Sequence, residues 1–226
     1  DRSEAMTAIP AVSSGFANTT DQRRRARAAI AITFAVNGVL IGSWAPRIPA
    51  LKDQLHLSAG ALGLALLAPA LGTVLAARPV GARTARHGTA AVTRVCGVLY
   101  CLLAWAPGAA INLGTLWLAL LVWGMAMGAM DVAMNAQGVS VEGYYGRPVL
   151  SSFHAIWSIG SFLGALLGAA GAALGVHIAV VQAVIGAVLA AAALGVPRHL
   201  LPDPASVSAA PSTPTQSGHV LVDGSH

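Results

Sequence analysis

"LWLALLVWGMAMGAMDVAMNAQG", Leu116 to Gly138, sets the class of this protein. Its first part, Leu116–Met127, is almost wholly apolar; Asp131, Asn135 and Gln137 then follow. An apolar run on this scale reads as a membrane span, which takes about 20 residues. An ionised aspartate at the bilayer centre costs about 2.5–3.5 kcal/mol on insertion scales, so a carboxylate here is a functional candidate by default. Gly124, Gly128, Asp131 and Asn135 recur at steps of four, three and four and share one helical face. The glycines suit that face to close packing, and the two polar residues turn it toward protein or water.

The rest of the chain agrees with this reading. Of 226 residues, 56% are hydrophobic and 9% charged, against about 25% charged in soluble domains. The chain is expected to be an all-α membrane protein. Six apolar stretches are long enough to cross a bilayer: 28–46, 59–77, 91–110, 115–136, 152–174 and 177–196. The boundary at 174–177 is tight, so spans five and six form a hairpin with almost no loop. Cys96 and Cys101 lie in one apolar segment at a spacing that makes neither a redox pair nor a zinc site.

Orientation follows from the basic residues. With both termini in the cytoplasm, eleven of the thirteen Lys and Arg residues fall inside, leaving only Arg47 and Lys52 outside. The RRRAR cluster at Arg23–Arg27 reads as a topology anchor beside the first span, not as a nucleic-acid patch. Residues 1–26 read as a basic cytoplasmic tail. Residues 197–226, with "LPDPASVSAAPSTPTQSGHV", read as a disordered cytoplasmic tail or linker, rich in Pro, Ser and Thr. The expected location is a bacterial inner membrane.

Three stretches carry a family resemblance. "RPVGARTARHGTA", Arg78–Ala90, resembles the signature loop of the major facilitator superfamily between spans two and three: Gly81, Arg86 and Gly88 match in spacing, whereas Ala85 replaces its Asp and Thr89 its last basic residue. "GSWAPRIPALKDQLHLSAGALGLALLAPALG" and "GAMDVAMNAQGVSVEGYYGRPVLSSFHAIWSIGSFLGALLGA" resemble the fucose-permease-like or MosC-like branch of that superfamily. The resemblance covers about residues 28–196 and implies the N-terminal six-helix half of a twelve-helix secondary transporter. It further implies alternating access around a site between two halves, a small polar, sugar-like substrate, and a partner: a second six-helix half or another copy of this chain. The rival reading is a truncated or non-transporting six-span protein with an assembly role or none.

Individual residues then take candidate roles. Asp131 lies about 24 Å beyond Thr115 along a helix, which places it low in span four, near Asn135, with His154 and Arg94 just inside spans five and three. These four form an expected inner-gate or proton-coupling cluster in which Asp131 pairs with Arg94 or a loop arginine. The alternative is a structural aspartate held by an arginine or by helix-end amides. Asn37, near the middle of span one, with Thr33 a turn before it and Trp123 in span four, makes up the expected substrate cavity. Asn37 serves equally well as a helix–helix bond of about 1 kcal/mol. His154, Ser158 and Ser161 form a polar stripe on span five, with a proton-relay role open for His154. Gly160, Gly164 and Gly168, continued by Gly171 and Gly175, make a small-residue packing stripe there. Arg47, in the family-like "RIP", reads as a loop anchor or outer-gate contact. No enzyme, metal or cofactor motif is present, and no cofactor is expected.

Overall fold

The computed structural model describes residues 14–195. They form seven α-helices: α1 (Ser14–Trp44), α2 (Ile48–Gln54), α3 (Ala59–His87), α4 (Thr89–Leu102), α5 (Leu113–Tyr145), α6 (Leu150–Ala173) and α7 (Ile178–Gly195). Six of these segments are long and apolar enough to cross a membrane; only the short α2 is not among them as a separate span. The expected tail at 197–226 lies outside the described residues, as do residues 1–13.

Two connectors differ from the sequence reading. α1 begins at Ser14, so the RRRAR cluster rides on the helix instead of preceding it, with Arg25 and Asp21 paired at 2.6 Å one turn apart. Ala and Arg are strong helix formers, and adding turns to an existing helix costs little. Likewise α3 runs through the signature stretch to His87, placing Gly81 and Arg86 on a helix and leaving Gly88 alone (φ +85°) as the joint to α4. Span three runs Thr89–Ala109, close to the expected bounds, but only its first part is α-helical: α4 ends at Leu102 and the span finishes in a 3₁₀ turn, Ala106–Ala109, where Pro107 supplies no backbone donor.

Packing is dominated by two helix pairs, α1 on α6 and α3 on α5, with α4 against α5 and α7. Exchanging the first three spans with the last three maps α1·α6 onto α3·α5 and α4·α7 onto itself, the contact pattern of an internal three-helix repeat. Glycine makes both main pairs possible. A Cβ at Gly38 or Gly42 would collide with the backbone of Trp157 or Ser161, and one at Gly164 with that of Val39. In the second pair, Gly72 meets the backbone of α5 at Leu121–Met125, Gly124 that of Pro69, and Gly128 that of Thr73. In lipid, where apolar burial gives little drive between helices, this close approach is a main source of association.

Helix ends are fixed by local chemistry. Asn112 and Thr115 close a reciprocal capping box at the start of α5 (2.9 and 3.1 Å). At the other end of α5, one oxygen of Glu142 accepts hydrogen bonds from Val149 N (2.7 Å) and Leu150 N (2.8 Å), capping α6 from the neighbouring helix.

Candidate functional site

A cavity of about 320 Å³ opens where the two tight pairs meet. Asn37 and Ile41 enter it from α1, Thr73 from α3, Asp131 with two methionines and Gly128 from α5, and His154 and Trp157 from α6. Its volume lies at the low end for small-molecule sites. Four helices therefore converge on one carboxylate, one imidazole, one amide and one indole.

The polar atoms are only partly satisfied within the chain. Trp157 Nε1 donates to Asn37 Oδ1 at 2.8 Å, whereas the Asn37 Nδ2 group is buried without a partner. Asn37 is 5% exposed and contributes to the cavity lining. Asn135 Nδ2 donates to the backbone oxygen of Asp131 (2.9 Å) and to its carboxylate (3.2 Å). The His154 ring stands edge-on to Phe34, with centroids 5.3 Å apart, and lines the same cavity as Asp131. No ion pair holds Asp131 among the described residues. Its carboxylate is open to the cavity, with capacity for further hydrogen bonds.

The structure brings some of the expected site residues together and disperses others. Asp131, His154 and Asn37, expected in two separate clusters, line one cavity. Asn135 stands behind Asp131 as its hydrogen-bond donor. Arg94 is exposed on α4 and does not line the cavity; the structure does not pair it with Asp131. Thr33 is buried and donates to the Ala29 carbonyl in its own helix (3.0 Å). Trp123 is also buried, stacked on Tyr100 at 5.4 Å and donating to the Tyr100 carbonyl at 3.2 Å. It is a core residue: the cavity-facing side of α5 carries Gly128 and Asp131 instead. Gly81, Arg86 and Gly88 lie at the far end of α3, away from the cavity lining.

Sequence reading missed Trp157 and Thr73. Trp157 follows His154 by three residues, a step that shares a helical face, so the polar stripe on α6 already pointed to it. It also missed the closed polar pair at the other end of α1. Ser43 Oγ donates to Gln182 Oε1 (3.0 Å), and Gln182 Nε2 donates to the Ser43 carbonyl (3.2 Å). Nearby, buried Arg47 donates to the Val176 carbonyl at 2.5 Å, tying the end of α1 to the α6–α7 turn. That contact is an anchor of the kind expected for Arg47.

Comparison with known proteins gives this geometry a family. The model of the Major Facilitator Superfamily matches residues 29–224. An uncharacterized transporter of Sinorhizobium fredii is 38% identical over 135 residues, covering 60% of this chain and 36% of that protein. An uncharacterized MFS-type transporter of Yersinia pestis is 38% identical over 133 residues, 59% of this chain and 35% of its own length. The membrane protein MosC of Rhizobium meliloti is 28% identical over 150 residues, 66% and 37% respectively. The chain thus spans a little over a third of the curated relatives it matches, and no solved structure matches it. With six candidate spans and a family match across most of its length, the chain is a multi-pass integral membrane protein that belongs to the Major Facilitator Superfamily.

Proposed function

We propose that this chain forms the N-terminal six-helix half of a secondary transporter that moves a small polar, sugar-like solute by alternating access. In this reading the end bearing Arg23–Arg27, Arg83, Arg86 and Arg147 faces the cytoplasm, in keeping with the positive-inside rule. The observation that carries the reading is the convergence of Asn37, Asp131, His154 and Trp157 on one open cavity. An intramembrane carboxylate beside an imidazole suits proton coupling. The Asp131 carboxylate and the adjacent indole suit a hydroxyl-rich solute, which supplies donors to the first and an apolar ring face to the second. Transport requires a second half to complete the enclosure, from another chain, another copy or a longer parent protein.

Uptake into proteoliposomes under an imposed proton gradient, with a panel of sugars and polyols, tests this. Gradient-driven accumulation of at least one solute supports the reading, and its absence for the whole panel in the assembled protein removes it. Asp131→Asn then separates coupling from transport. Accumulation should fall at least about tenfold while solute exchange at equal concentration persists. Unchanged accumulation assigns coupling elsewhere.

A further inference from the structure

A second concave site lies at the basic end of the molecule and shares no residue with the Asp131 cavity. This groove of about 600 Å³ is lined by Arg23, Arg24, Arg27 and two alanines of α1, with Tyr145 and Arg147 from the end of α5. Gly146, in the left-handed region at φ +61°, ends α5 and redirects the chain, which carries Arg147 back beside α1. Arg27 lies over the Tyr145 ring at 5.5 Å, a cation–π contact that fixes its guanidinium against the groove wall.

The groove gathers four guanidinium groups and no carboxylate. The acids nearest in sequence are engaged elsewhere: Asp21 holds Arg25 at 2.6 Å, and Glu142 accepts the amides of Val149 and Leu150. None of the four groove arginines has an ion-pair partner among the described residues. Four like charges around one concavity repel one another, and an anion bound between them relieves that repulsion. Guanidinium forks match phosphate oxygens in a bidentate manner.

The surroundings select the source of the phosphate. Arg24, Ala28 and Ile32 succeed one another at steps of four on α1, all exposed, and Ile32 is 44% exposed. A charged groove therefore continues into an apolar track that leads along the first span into the membrane. That sequence of surfaces matches an amphiphile, with a charged head and an apolar chain. Basic residues beside a span also concentrate anionic lipid. We propose that the groove binds the phosphate headgroup of an anionic phospholipid, held by Arg23, Arg24, Arg27 and Arg147.

Native mass spectrometry of the purified full chain in detergent, titrated with phosphatidylglycerol and separately with phosphatidylcholine, tests this. The wild-type chain should retain phosphatidylglycerol in preference to phosphatidylcholine. Arg24→Gln with Arg147→Gln should weaken phosphatidylglycerol retention by about 25-fold, about fivefold per arginine. Arg83→Gln with Arg86→Gln, which removes the same charge at the same end of the molecule, should stay within about twofold of wild type. Equal losses in the two pairs would mean diffuse attraction to a basic surface and would overturn the proposal. Displacement by inorganic phosphate at concentrations comparable to the lipid would make this a soluble-anion site, which also overturns it. Arg147→Gln alone sits in an exposed turn and spares the helix packing. It should lose about fivefold, with thermal unfolding in phosphatidylcholine unchanged, and wild-type retention in this variant would likewise defeat the proposal.

Discussion

Asn37 and Ser43 lie on the same helix about 9 Å apart along its axis, both buried, yet their polar groups are treated in opposite ways. Ser43 exchanges hydrogen bonds with Gln182 in both directions. Asn37 accepts one bond from Trp157, and its Nδ2 is buried without a partner. A polar pair closed within the membrane joins helices. An amide satisfied at one end only, in a cavity lining whose carboxylate has no ion-pair partner among the described residues, is costly unless a further contact completes it. The contrast separates the part of the molecule that holds shape from the part suited to binding.

The severest test removes the packing on which both clusters depend. Gly164 lies between them on the α1–α6 contact, where a side chain would strike the Val39 carbonyl. Gly164→Leu should abolish the monodisperse species in size-exclusion chromatography; a normal elution profile would mean that the helix pair is far more adaptable than its geometry implies. Next in size is Asp131→Asn, with its loss of at least about tenfold in gradient-driven uptake. Its thermal unfolding should change by no more than about 0.5 kcal/mol, and a large destabilisation would make Asp131 a structural group and erase the contrast. Gln182→Leu should do the reverse, costing about 1 kcal/mol in unfolding while the KM for solute stays within about twofold. The smallest effect belongs to Trp157→Phe, which frees Asn37 Oδ1. About 0.6 kcal/mol of stability should be lost, with a change in KM larger than that in Gln182→Leu.

The spans were legible because each is a long apolar run, and the glycine stripe on α6 was legible because small residues every fourth position have one main use in a membrane. Polar connectors were less so. Pro79, Gly81 and Gly88 made Arg78–Ala90 look like a loop, but the intervening Ala and Arg residues keep α3 helical to His87. The site was misjudged for a related reason. Depth was counted from the ends of the apolar runs, whereas α5 continues from Asp131 to Tyr145, about 21 Å of further helix. Counted from the true helix end, Asp131 lies deep enough to line the same cavity as Asn37. Trp123 and Thr33 were misassigned because a polar or aromatic residue in a span does not reveal which side of its helix faces the core. Tyr100 and the Ala29 carbonyl answer that only in three dimensions.

The Glu142 cap has a mechanical meaning. One side chain near the end of α5 grips the first free amides of α6, so the two helices are hinged together at the end where their chain reverses. Asp131 hangs from one arm of that clasp and His154 from the other. The spacing of acid and imidazole therefore depends in part on a carboxylate eleven residues beyond Asp131 on α5.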